Sequence, residues 1–218
     1  MKHLRAHSIS LHLPRIAVVV ACVALCACSV LHPAATTATS FYALEYAAPA
    51  ADPSRVASTL KRPATATLTI SPVRAAAGFD SQRIIYIRES HKLEYFSHSE
   101  WVEAPTRMLG PLLVASIERT GAFRAVVLTP ASASGELRLD TEIVRLQQEF
   151  QTKPSTVHFT LRAYLVDEKT RKVLAWHEFD GSVPASNDNP QAGVVAANRV
   201  VQTVLDELAQ FLAQRRAE

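Results

Sequence analysis

Cysteine is nearly missing from this 218-residue chain: there are three, Cys22, Cys26 and Cys28, and none after them. Beyond Cys28 no disulfide framework and no Cys-based metal site can form. Glycine is also scarce, with six in the whole chain and no Gly-rich run able to cradle a phosphate. No acidic residue precedes Glu45. No HExxH or CxxC pattern is present, and Ser134-Gly135 lacks the G-x-S-x-G surroundings of a nucleophile elbow. The formal charge of +3, from 23 basic and 20 acidic residues, comes from Lys2, Arg5 and Arg15 in the first 27 positions, so the remainder is formally neutral. The basic footprint of a nucleic-acid binder is therefore absent, and the pI near 8.9 is not one.

What is present begins with a basic flank and the apolar run Ile16 to Ala27. Twelve apolar residues match the core of a secretory signal and fall short of the roughly 20 that span a bilayer as a helix. The run ends Leu25-Cys26-Ala27-Cys28, which resembles a lipobox: Leu25 and Ala27 flank the cleavage point, and Cys28 is acylated as the new N-terminus. Cys26 is unusual at its position. A second match ending at Cys22 leaves only six apolar residues after Arg15, too few for a signal core. An uncleaved anchor is the competing reading, because Val30 and Leu31 extend the apolar stretch past Ser29. Residues 1–27 are thus expected to be a lipoprotein signal peptide, followed by a membrane contact made through lipid.

Residues 28–66 read as a tether. In Ala47 to Ala66, fourteen of twenty residues are Ala, Pro, Ser or Thr, too few large apolar side chains to pack. Within the tether, Phe41 to Tyr46 predicts a short docking strand. Residues 67–218 carry the periodicities of one folded domain. Strands are expected at Thr67–Ser71, Ile84–Arg88 and Leu93–Phe96, the last two joined as a hairpin by a polar loop. Ser97 and Glu100 have capping-box spacing ahead of the stripe Met108, Leu109, Leu112, Leu113, Ser116 and Ile117, so a helix is expected there, closed by Gly121 and kinked or split at Pro111. A strand follows at Phe123–Leu128.

Three long alternating strands then occupy residues 136 to 183. In the first, the apolar parity passes from Leu137, Leu139, Thr141 and Ile143 to Val144, Leu146 and Phe150, which predicts a bulge near Ile143. Asn189-Pro190 predicts the N-terminus of a last helix, with Val194, Ala197, Val201, Val204, Leu205, Leu208 and Phe211/Leu212 as its apolar stripe. The expected fold is α+β: a mostly antiparallel sheet with a three-strand meander and two helices packed on one face.

The chain offers no clustered nucleophile, base and orienting group, and no cofactor or metal site is expected. His91 and His98 read as solvent-facing. His177 reads as a histidine at a sheet margin or, less simply, as a buried base. Trp101 is either ordinary core or an exposed aromatic anchor for a partner. Leu174 and Trp176 share a parity opposite Val173, Ala175 and Phe179. Either the Phe41 to Tyr46 segment covers them or they form an exposed patch for a partner. Trp101, Leu174 and Trp176 are thus the candidate partner contacts.

Taken in order, FYAL after Cys28, LTISPV at Leu68 to Val73, RIIYIRESHKLEYFSHSEWVEAP at Arg83 to Pro105, ERTGAFRAV at Glu118 to Val126 and the terminal amphipathic helix resemble the ABC-type transport auxiliary lipoprotein family, the group containing paraquat-inducible protein C. The resemblance covers nearly all of the chain after the signal. It implies a non-catalytic periplasmic lipoprotein working with an ABC permease, its ATPase and an MCE-type lipid-binding protein in moving lipids or hydrophobic compounds across the envelope. Ser29, where an Asp would mark inner-membrane retention, implies the outer membrane, with the inner membrane as the alternative. A pilot or adaptor lipoprotein of another export channel is the alternative function.

Overall fold

In the computed structural model the described residues are 38–45, 65–130 and 134–217. The signal, Cys28 and Ser29, and most of the tether lie outside them. Nine strands form one sheet: β1 (Ser40–Tyr42), β2 (Thr67–Ile70), β3 (Arg74–Ala75), β4 (Arg83–Ile87), β5 (Glu94–Trp101), β6 (Ala125–Leu128), β7 (Leu137–Glu149), β8 (Thr156–Asp167) and β9 (Val173–Pro184). The described residues also form two helices, α1 (Pro105–Glu118) and α2 (Pro190–Ala217). The class is α+β and the long pairings are antiparallel, as expected.

β7 organises the sheet. One edge pairs antiparallel with β8 from Leu137↔Asp167 to Glu149↔Thr156. The opposite edge is shared, in parallel pairings, by β2 at Leu137–Leu139, β3 at Glu142–Ile143 and β4 at Gln148–Glu149. These parallel contacts join segments far apart in sequence, and local periodicity gave no sign of them. β9 continues the meander by pairing antiparallel with β8. The predicted bulge is real: Ile143 faces Leu161 and Arg145 faces Thr160, so Val144 is the inserted residue. Without it, Leu146 and Gln148 would point away from the core that Leu139 and Ile143 enter.

The inner face of the meander carries Leu139, Ile143, Leu146, Val157, Phe159, Leu161, Ala163, Leu165 and Phe179, all buried. α2 covers it with Val200, Val201, Val204, Leu205, Leu208 and Leu212. Each such side chain contributes about 1.5–3 kcal/mol of burial. Pro190 opens α2 and the Asn189 side-chain oxygen accepts from the Ala192 N–H at 2.8 Å, satisfying one of the free donors of the first turn. α1 inserts Leu109, Leu113 and Ile117 into the same core, and the Ser116 hydroxyl lies 3.4 Å from the Leu205 carbonyl of α2. Gly121, at φ +61°, ends α1 in the left-handed region as expected.

At α1 the expected cap fails, and of the two outcomes expected at Pro111 the split does not occur. Ser97 and Glu100 do not cap it: they belong to β5, which runs on to Trp101 because β4 pairs one edge and β1 the other, with Phe41↔Glu100 and Tyr42↔Trp101 in register. The helix starts at Pro105 from Ala104, with no side-chain cap. Pro111 does not split it; its ring faces solvent and α1 is continuous through Glu118.

α2 crosses β9 at close range. A methyl on Gly181 would stand 2.8 Å from Val200 Cγ2 and 3.0 Å from Val204 Cγ2. Both valines are stiff at χ1, so the clash cannot be relieved by a side-chain swing alone. Gly181→Ala is therefore expected to destabilise by about 1–3 kcal/mol in urea unfolding; unchanged stability would show that the helix does not sit this close to the strand.

Candidate functional site

The alternation that fills the inner face of the meander leaves an outer face over which no helix lies among the described residues. Its side chains are mainly charged and are tied across strands. Arg138 on β7 reaches Asp140 at 3.0 Å and Glu168, beyond β8, at 2.9 Å. Arg162 in the middle of β8 holds Glu178 of β9 at 2.7 Å and Glu142 of β7 at 3.4 Å. Arg145, placed outward by the bulge, donates to Thr160 at 2.8 Å and to Asp180 at 2.9 Å. His158 lies 3.5 Å from Glu149.

The Thr160 hydroxyl, then Arg145, hold the Asp180 carboxyl below the ordinary aspartate range. The hydrogen bond to Glu178 raises the Arg162 guanidinium above its own. Partly solvated pairs of this kind contribute about 0–1 kcal/mol each. Their consequence is geometric: they link side chains across the three strands of the meander.

At one end of this face the ladder gives way to an aromatic pair. Tyr164 and Trp176 stack with ring centroids 6.4 Å apart. Trp176 is 61% exposed and Leu174 55% exposed. Leu174 is the extra residue of a second irregularity, since Leu165 faces Ala175 while Val166 faces Val173. Of the two readings of this pair, the exposed patch is what the structure shows. The segment that might have covered it runs elsewhere: β1 lies against β5, and the Glu45 N–H and Ala43 carbonyl are bound by the Asn198 side chain of α2 at 2.7 and 3.2 Å.

Trp101 takes the opposite course. At 3% exposure it ends β5 inside the core, so as an exposed partner contact it is withdrawn. β5 turns it inward alongside Ser99. His177 is exposed at the sheet margin, stacked at 5.5 Å on Phe211 and edge-on to Phe179 at 4.6 Å. His91 and His98 are exposed. The arginine and carboxylate ladder was missed in the sequence because its members lie up to 35 residues apart and only the strand register aligns them.

No group of three or more His, Cys, Asp or Glu able to hold a metal occurs among the described residues, and none of their helices is long and apolar enough to cross a membrane. Beside Trp101 lies a small cavity lined by Ile84, Leu146, Val157, Val194 and Ala197, with the buried Gln147 and Gln148 as polar members. Gln148 donates to Ser155 Oγ at 2.9 Å, and the Ser155 N–H donates to Asp188 at 2.8 Å, so this corner ties the end of β7 to the start of α2.

The domain is thus α+β, with α2 over one face of its meander and, among the described residues, no helix over the other, where Leu174 and Trp176 are exposed. The chain belongs to the ABC-type transport auxiliary lipoprotein component family, whose model matches residues 42–209. Its fold is similar to that of a crystal structure of a protein from Xanthomonas campestris, at TM-score 0.70 and 20% identity, over 81% of this chain and 96% of that one. A second solved structure, of an uncharacterised protein, matches at TM-score 0.61 and 11% identity over 80% of this chain and 99% of the other. At these identities the likeness is one of fold. Among curated proteins no match is found.

The two tryptophans make the division of labour measurable. Trp101→Ala is expected to cost about 3–5 kcal/mol of unfolding free energy, and Trp176→Ala under about 1 kcal/mol, from loss of the stack on Tyr164. Comparable losses in chemical denaturation would place Trp176 in a packed environment and remove the open patch.

Proposed function

We propose that this protein is a non-catalytic periplasmic lipoprotein, anchored through acylated Cys28, that docks an ABC permease and ATPase and an MCE-type lipid-binding protein in the movement of lipids or hydrophobic compounds across the cell envelope. The observation that carries the reading is the match of the auxiliary-component family over residues 42–209. The open outer face, with Leu174 and Trp176 exposed at its edge, supports a role in contact rather than catalysis. Leu25 and Ala27 are the flanks of signal cleavage and Ser29 is the sorting residue that favours the outer membrane. One acyl chain binds a bilayer only marginally at about 0.8 kcal/mol per buried methylene, so two or more chains on Cys28 are needed to hold the protein there.

The test is affinity purification of the full-length protein from detergent-solubilised envelopes, with mass spectrometry of its N-terminus and of its companions. The expected result is an acylated Cys28 as first residue and co-purification of permease, ATPase and MCE-type protein, all three companions reduced at least several-fold by Trp176→Ala. A mature chain that starts at Met1 contradicts the anchor. Companions from another export channel contradict the transport assignment.

A further inference from the structure

β9 is the outermost strand of the meander. Among the described residues it pairs with β8 and with no other strand, so its far edge presents the main-chain N–H and C=O groups of alternate residues between Val173 and Val183. Long open edges are commonly blunted by lysine or covered. This one carries no Lys or Arg between Val173 and Pro184, and its Pro and its irregularity lie at its two ends, at Pro184 and Leu174, which leaves Ala175 to Val183 regular between them. Its outward side chains are Trp176, Glu178, Asp180 and Ser182. Behind them the strands of the outer face hold Arg74, Arg138, Arg145 and Arg162 beside Asp140, Glu142, Glu149, Glu178 and Asp180, Arg74 standing in register with Glu142. Glu168, on the turn after β8, is held by Arg138 and by Arg171 at 3.0 Å. The carboxylates of the face thus slightly outnumber its arginines, and the two nearest the open edge, Glu178 and Asp180, are both on β9. On the inner side of the same edge, His177, Phe179 and Phe211 form an aromatic rim.

We infer that β9 is where an extended, cationic segment of a partner protein adds to the sheet as a further strand. Main-chain pairing along an edge supplies affinity in such additions, and alternate side chains supply selection. Here one parity of the added strand meets Glu178, Asp180 and the free face of the Trp176 ring, all of which favour Lys or Arg. The other parity meets the rim of His177, Phe179 and Phe211, which favours apolar residues. A second copy of this chain is a poorer occupant: two β9 strands side by side bring acidic rows together with no cation on either, and like charges across a strand pair are destabilising. The inference rests on the reading that the protein acts through a protein partner, and it names that partner's chemistry.

The test uses the full-length acylated protein in nonionic detergent and three labelled ten-residue peptides: alternating Lys and Val, alternating Glu and Val, and the Lys-Val peptide N-methylated at every residue. Binding is followed by fluorescence anisotropy at low and high salt. The Lys-Val peptide is expected to bind, with the Glu-Val and N-methylated peptides at least tenfold weaker, and Glu178→Lys with Asp180→Lys is expected to reverse the preference between the first two. Equal binding of the N-methylated peptide would reduce the interaction to charge and overturn strand addition. Absence of Lys-Val binding, equal binding of Glu-Val, or a wild-type self-associate in sedimentation that the double variant dissolves would each overturn the proposal. If the double variant fails to fold, the three peptides on the wild-type protein still decide the matter. No transporter component is present, so failure here and failure of co-purification are separate results.

Discussion

The structure depends on β7 and on the single inserted residue that divides it. Five of the nine strands, β2, β3, β4, β7 itself and β8, meet along β7, and the others attach through them. A strand of this length serves one core only if its apolar residues stay on one side throughout. Leu139 and Ile143 do so by ordinary alternation, and Leu146 and Gln148 rejoin them because Val144 is looped out between Ile143 and Arg145. The same insertion turns Arg145 outward, where it reaches Thr160 and Asp180. One bulge thus keeps the inner face apolar for α2 and supplies a member of the ionic ladder outside.

The two faces of the meander then have separate tasks. The inner face supplies stability through close packing, shown by the approach of Val200 and Val204 to Gly181. The outer face adds little to stability, since its pairs are partly solvated, and among the described residues it ends in an exposed aromatic pair and a strand edge that pairs on one side only. Membership of an auxiliary transport family gives that surface a context, and it is consistent with a body built to hold other proteins in place.

Much of this was legible in the sequence, and the reasons differ by element. The strands of the meander declared themselves because each has one face in the core and one in solvent, so alternation is strict; the parity change at Ile143 was visible for the same reason. Asn189-Pro190 marked the start of α2 by chemistry local to the turn. The start of α1 was misplaced because Ser97 and Glu100 satisfy a local spacing rule while β4 and β1 hold that segment extended, a tertiary effect that spacing does not record. The two tryptophans could not be separated from sequence: Trp101 is buried by the register of β5, and Trp176 is exposed because no element of the described residues covers the outer face of β9. The parallel contacts of β2, β3 and β4 with β7, and the ladder of Arg138, Arg145 and Arg162, are non-local throughout and needed the assembled sheet to appear.

The measurement that bears most directly on the account is hydrogen exchange of the acylated protein, alone and in its purified envelope complex. The account predicts that amides of β9, Val173 to Pro184, gain strong protection in the complex, while β7 and the buried turns of α2 are protected equally in both. Unchanged exchange in β9, with new protection confined to the β1 and β5 end of the sheet, would contradict it.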